Sequence, residues 1–434
     1  MRICIYEDRR VSGLEPLVLT RPVSDLLCGL STLGEKQTRH FAATSIGHLC
    51  RPRMADLVRG RDPRIPVNDP TWLRSASTVL VNARWIPNNP PAVAPRERRH
   101  ASRNPLFESP HLGMCGSELA YAVLDTHHLA ELSPATLDDC INDWMQSLRK
   151  REVGGTIIAH PWDLIELNHA QIARDFLAEA DPSITGFHPS GVAHVGHADL
   201  FYIHPTAKID PMVVADTTHG PVSIGAGTVV QAFTRLEGPC AIGAGTIVQS
   251  GCRIRGGTTI GPQCRVGGEI ESSILLGYAN KYHDGFLGHS YIGEWVNLAA
   301  GTHVSDLRCD YEPVKVSWDG CEIATGKTKV GAIIGDHART GLGVFLNCGS
   351  VIGPFAQILP TGTLAPCEIP AFVRSGPHGV KELRDVDRLL ATAGRVMQRR
   401  GKTLSLELEQ TYRSIAAAQQ RREPEQVLPL RRSA

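Results

Sequence analysis

Aliphatic residues recur every six positions through the middle of the chain, at Ile224, Val230, Leu236, Ile242, Val248, Ile254, Ile260 and Val266. Four positions after each comes a small or apolar residue: Thr228, Thr234, Cys240, Thr246, Cys252, Thr258, Cys264 and Ile270. A second array runs Ile334, Thr340, Leu346, Ile352, Ile358 and Leu364. Ile203 and Ile209 precede both arrays, and Ile292, Leu298 and Val304 lie between them. Neither the helical period nor the strand period produces six unless the chain turns at fixed intervals. A short strand followed by a tight corner does so, with its aliphatic side chain inward. The segment Ile224-Gly225-Ala226-Gly227-Thr228 returns eighteen residues later as Ile242-Gly243-Ala244-Gly245-Thr246. Three sides therefore close one coil, and stacked coils predict a triangular prism.

The flanks follow other rules. Residues 1–185 lack the six-residue period and read as an α/β domain. Buried strands are expected at Ile3–Tyr6, Val79–Val81 and Thr156–Ile158, and helices at Leu119–Leu132 and Thr136–Leu148. The Pro- and Arg-rich run from Asn88 to Arg103 predicts an exposed loop. Residues 186–376 hold the prism. Residues 377–434 show helical spacing at Leu383, Val386, Leu389, Leu390, Ala393, Val396 and Met397. The arginines of that tail, Arg388, Arg395, Arg399 and Arg400, read as a solvated face.

Composition narrows the function classes. Forty-five basic residues against 44 acidic ones leave a formal charge of +1, which gives no reason to expect a nucleic acid or a membrane surface as partner. Glycine, at 42 of 434 residues, is the outlier, as repeated tight corners require. The 12 cysteines form no Cys-x-x-Cys pair, and charge follows the N-terminal Met at once, unlike a signal peptide. A cytoplasmic protein with free thiols is the expectation. Cys240, Cys252 and Cys264 take the small inward position that Thr takes elsewhere, so they read as packing.

Interruptions of a repeat are where function concentrates. One break lies between Ile270 and Ile292, another between Val304 and Ile334. The second contains Gly326-Lys327-Thr328-Lys329, which lacks the upstream glycine of a phosphate-binding P-loop. The first contains His283. An imidazole accepts a proton near neutral pH, so this residue is a candidate general base. His283, His289 and His303 are also the candidates for a zinc site such as γ-type carbonic anhydrases carry on a prism, but their spacing does not match that family's.

The repeat itself resembles the hexapeptide repeat of left-handed parallel β-helix acyltransferases. The stretch from His283 through Ile292-Gly293-Glu294-Trp295-Val296-Asn297-Leu298-Ala299-Ala300-Gly301-Thr302 is similar to the acetyltransferase segment of the GlmU-like family, and Leu19-Thr20-Arg21-Pro22 to an element that opens one branch's N-terminal domain. That family joins N-acetylglucosamine-1-phosphate uridylyltransferase and glucosamine-1-phosphate N-acetyltransferase activities. The resemblance implies a nucleotidyltransferase-like N-domain, a left-handed β-helix, a short helical tail, acetyl coenzyme A as cosubstrate and a homotrimer. It implies His283 as general base, Arg255 on the sugar phosphate, Asp310 and Tyr311 on the sugar, Ala300 on acetyl coenzyme A and Arg374 on its phosphates. Ser273 and Phe286 depart from the family's Lys and Tyr, which leaves the acceptor open.

The N-domain departs further. Family members carry a Gly-rich loop after the first strand and a metal-binding Asp at the end of a central one. Here Glu7-Asp8-Arg9-Arg10-Val11-Ser12-Gly13 replaces the loop and Asn82 the Asp. Arg21, Lys36, Asn82 and Asp163 are the candidates for a variant nucleotide site, with Mg²⁺ as its metal. The expected function is acetylation of an amino-sugar 1-phosphate in the prism, with nucleotidyl transfer in the N-domain for nucleotide-sugar synthesis. The alternatives are an N- or O-acyltransferase on another sugar or nucleotide sugar, and a non-catalytic nucleotide-sugar-binding regulator.

Overall fold

The computed structural model describes residues 1–88, 109–179, 190–377 and 381–422. Most of the proposed 88–103 loop and the 185/186 domain boundary therefore lie outside the described residues. The chain divides into two compact units, Met1–Leu26 with Ser31–His160, and Leu27–Leu30 with Pro161–Ala434. Among the described residues no helix is long and apolar enough to cross a membrane.

The first unit is a six-stranded mixed sheet with helices. Its strand order is Ser45–Leu49, Arg2–Tyr6, Thr78–Asn82, Glu118–Leu124, His111–Cys115 and Arg149–Glu152. The first three are parallel, and Glu118–Leu124 runs antiparallel to both its neighbours. The expected strands at Ile3–Tyr6 and Val79–Val81 and the helix Leu137–Ser147 are present. The helix expected over Leu119–Leu132 is not. Its first half is the central strand Glu118–Leu124, buried from Leu119 onward on both faces, so alternation is missing and the Leu/Ala content imitates a helix. Thr156–Ile157 pairs with Trp85–Ile86 outside the main sheet, and Thr156 is exposed.

The second unit contains the prism, a parallel β-helix of about ten turns. Three faces of short parallel strands are stacked coil on coil. One inward column runs Ile203, Ile224, Ile242, Ile260, Leu275, Ile292, Ile334, Ile352 and Ile369, and a second runs Ala215, Leu236, Ile254, Ile270, Leu287, Val304 and Leu346. All are buried. The small positions do more than fill space. Thr228, Thr234 and Thr246 donate their hydroxyls to the carbonyls of Gly243, Gln249 and Gly261 one coil on, at 3.0 to 3.1 Å. Two positions differ from the repeat reading. Ile270 belongs to an aliphatic column, because the corner before it is short. Leu364 points outward at 56% exposure, and Ala365 takes the buried place.

Two elements dress the prism. Helix Pro161–Glu179 lies against one face through Asn168, whose amide donates to Gly257 O and to Thr259 Oγ1, at 2.8 and 3.0 Å. The tail forms a strand, Lys381–Leu383, and two helices, Val386–Gln398 and Leu406–Arg422. Leu383 thus belongs to a strand rather than to the helix. Along one corner, Tyr278, Trp295, His337, Phe355 and Phe372 stack in a ladder with ring centroids 4.2 to 6.1 Å apart, and Tyr412 of the last helix meets it edge-on. All five ladder residues have positive φ. Aromatic attraction thus offsets the strain of a left-handed corner.

None of the 12 cysteines is in a disulfide. Burial pushes the thiols of Cys252 and Cys264 up to about 12 and raises that of Cys240 as well. Cys309, Cys321 and Cys367 are exposed. Titration of the native protein with a thiol reagent is therefore expected to give a fast phase from those three, with the inward Cys240, Cys252 and Cys264 reacting only on unfolding. Fast modification of Cys252, read by peptide mass mapping, would contradict the inward packing.

Candidate functional site

His283 sits on an exposed corner between the strands Asn280–Lys281 and Phe286–Gly288. Its ring meets Tyr282 edge-on at 5.7 Å. Its neighbours come from two sources. Outward positions on one prism face follow the register Ile247, Arg265, Asn280, Asn297, Arg339, Gln357 and Arg374. The tail helix ends beside that row, bringing Arg399 and Arg400. The result is a cavity of about 450 Å³ that His283 shares with Arg265, Arg339, Arg399 and Arg400, with Tyr278 and Trp295 also in its wall.

The electrostatics of this cavity are one-sided. Among the described residues, none of the four arginines pairs with a carboxylate. Burial lowers the pKa of Arg339. Burial first, then repulsion from Arg265, lowers that of Arg400. Arg265 Nε is buried without a hydrogen-bond partner, and Arg400 donates to Gln263 O at 3.0 Å. A polyanion would relieve that repulsion and fill the open donors. Arg399 and Arg400 are thus part of a concave site, contrary to the reading of the tail arginines as a solvated face. Arg388 keeps that reading, paired at 3.5 Å with Asp385 in the same turn.

The other sequence candidates are dispersed. Arg255 is held by Glu269 at 2.8 Å on another face. Asp310 pairs with Arg308 in a separate cavity of about 520 Å³, and Tyr311 is 73% exposed with φ at +59°. Ala300 accepts a hydrogen bond from Gly343 N at a corner. Arg374 lies in the same outward row as Arg339 but is engaged by Gln357 and Glu382. Within one chain, only His283 reaches the arginine cavity.

A second imidazole stands out. His289 Nδ1 is 2.7 Å from Asp306 Oδ2, and both side chains are largely buried. The pair is built in: a Cβ at Gly288 would meet Asp306 Oδ2 at 2.3 Å, so only glycine leaves room for it. His289 faces a cavity of about 160 Å³ together with Lys327, Lys329 and Ser272. The lysines of the Gly-Lys-Thr segment thus serve a pocket other than a P-loop. The sequence carried no signal for this pair, whose members come from different coils. His303 accepts from Phe286 N at 3.3 Å, and among the described residues His283, His289 and His303 form no metal-binding cluster. Among the described residues the one three-ligand group is Asp125, His127 and His128, in the first unit.

In the first unit, the carboxyl ends of the parallel strands are where such sheets bind ligands. There Arg84, 1% exposed, donates to Asp8 at 2.7 and 2.9 Å, to Glu118 at 2.8 Å and to Ile158 O at 2.7 Å. Burial opposes its charge, and the two carboxylates outweigh burial to raise its pKa. Asn82 donates to Asp8 and Leu119 O, while its oxygen accepts from Arg84 N. Glu7 is occupied by Arg51 and by the N–H of Val23. The acids at this edge are thus neutralised by arginine, and they do not fit a divalent cation. Arg21 and Lys36 are buried in the same unit, whereas Asp163 lies in the first turn of Pro161–Glu179 in the second.

Comparison with known proteins places both units. A sugar nucleotidyl transferase family model matches residues 3–181. The bifunctional sugar-1-phosphate nucleotidylyltransferase/acetyltransferase of Sulfurisphaera tokodaii is 40% identical over 92 residues, 21% of this chain and 23% of that one. The bifunctional protein GlmU of Methanococcus vannielii is 35% identical over 85 residues, 20% of each chain. The chain thus matches only about a fifth of the length of these two relatives. An Escherichia coli K12 protein named as an uncharacterized acetyltransferase, YaiX, is 35% identical over 167 residues, 36% of this chain and 73% of that one. With 73% of YaiX covered at 35% identity, the chain belongs to the same acetyltransferase family as that protein, carries a sugar nucleotidyl transferase match in front of the prism, and is GlmU-like over about a fifth of its length.

Proposed function

We propose that the prism transfers acetyl from acetyl coenzyme A to the amine of an amino-sugar 1-phosphate, with glucosamine 1-phosphate the first candidate. The observation that carries this reading is the cavity in which His283 meets four arginines that have no carboxylate partner among the described residues. His283 would accept the proton that the amine loses as nitrogen attacks the thioester carbon. The thiolate then leaves as the tetrahedral intermediate collapses, with no acyl-enzyme required. Arg265, Arg339, Arg399 and Arg400 would bind the phosphates of the coenzyme, and the guanidinium fork suits those oxygens. Unpaired thiols accord with a cytoplasmic setting.

The dispersal of the remaining candidates points to a homotrimer. Arg255, Asp310, Tyr311, Ala300 and Arg374 lie outside the His283 cavity of their own chain, and a closed threefold ring would bring such residues to a neighbour's His283. Light scattering coupled to size exclusion should give three times the 47.1 kDa chain mass. A fully active monomer would contradict the shared site.

A second reading assigns the base to His289, because Asp306 orients it as a carboxylate orients a catalytic imidazole. The two are separated by substitution. His283→Ala is expected to lower kcat by roughly 10²–10⁴-fold with fold and oligomer intact. His289→Ala should lose much less, and the reverse order would move the base to the Asp306 pair.

For the first unit we propose a nucleotide-sugar domain whose metal-dependent transfer is weak, since Arg84 neutralises Asp8 and Glu118. Incubation with UTP, Mg²⁺ and N-acetylglucosamine 1-phosphate should release little pyrophosphate. Robust Mg²⁺-dependent release would show that the edge opens to a metal.

A further inference from the structure

We propose that Lys281 is a positioning residue for His283, tying the corner that carries the imidazole to the coil beneath it from inside the prism. The inference rests on the reading of His283 as the base. Lys281 stands in the third inward column, which runs Ile209, Val230, Val248, Val266 and then Lys281, with Leu298 in the coil above. It is 1% exposed. An ammonium among aliphatic side chains is costly unless its donors are used. Here Nζ donates to the carbonyl of His283 at 2.6 Å and to that of Gly267 at 3.1 Å.

The need for such a tie follows from the lengths of two stacked corners. From Lys281 the chain takes six residues to reach the next inward position, Leu287, as the regular coils do. From Val266 in the coil below it takes only four, reaching Ile270. The longer corner therefore overhangs the shorter one. Gly267 and Gly268 let the two approach: a Cβ on the first would meet Tyr282 O at 2.1 Å, and one on the second Gly285 O at 2.7 Å. Backbone bonds reach the edges of the overhang, from Glu269 N to Gly285 O and from Gly301 N to Asp284 O. Among the described residues none reaches His283, whose carbonyl is served by the lysine alone. Burial also pulls the lysine's pKa down to about 8, against the opposing influence of Cys252 and Asp284, so the fold bears a cost to keep this amine inside.

Lys281→Met replaces the ammonium with an apolar chain of similar length, and Lys281→Leu copies the neighbouring rungs. Both are expected to keep the oligomer and to melt no lower than the parent, since a buried charge is removed. Hydrogen–deuterium exchange should accelerate by about tenfold or more at Tyr282–Gly285 and stay unchanged elsewhere. In acetyl transfer, kcat should fall by roughly 10–100-fold while the KM for acetyl coenzyme A stays within about twofold, as displacement of one group predicts. Unchanged exchange at the corner, or both variants losing stability throughout or failing to fold, would overturn the proposal. Absence of acetyl transfer in the parent protein would instead overturn the role of His283, and the exchange measurement would still decide whether Lys281 holds the corner.

Discussion

Closure of each coil over a stacked interior is the constraint from which the second unit follows. A side has room for one inward aliphatic residue and one small residue, and the next coil must set its own directly above them. The faces are therefore uniform, and variation is confined to corners and outward positions. Those are the places where His283, His289 and the arginine row are found. Chemistry on this scaffold is written in the residues that closure leaves free.

How much of this the sequence disclosed depends on how local each signal was. The inward columns were legible because Ile224, Ile242 and Ile260 repeat at constant spacing. The short corner at Val266–Ile270 was not, since Ile270 also satisfies the small-or-apolar position of an unbroken repeat. His283 was found through a resembling motif, whereas Arg265 and Arg339 were passed over. Their kinship appears only when strands offset by unequal coil lengths are laid side by side. Arg399 and Arg400 had no local mark to separate them from Arg388 on the same helical tail. In the first unit, the strand Glu118–Leu124 was misread because a strand buried on both faces loses its alternation.

The two units handle charge in opposite ways. In the first, Arg84 is buried against Asp8 and Glu118, and the neutralised cluster joins loops at the sheet edge. In the second, the arginines around His283 have no carboxylate partner among the described residues, and Arg265 repels Arg400. A closed cluster of charges fixes a shape, while an open one selects for a partner of opposite sign.

The antiparallel strand Lys381–Leu383, laid on Val373–Ser375, has a meaning beyond the chain itself. A parallel solenoid is a template: the last coil offers the same row of donors and acceptors that every earlier coil offered to its successor. Another molecule's first coil meets those requirements, and repeated docking of that kind builds a fibre. A strand of reversed direction spoils the row on one face. The tail helix that sets Tyr412 against Phe355 and His337 bulks out the adjoining corner. The reversed strand and the helix behind it therefore give the end of the stack an edge unlike any that an earlier coil offers to its successor.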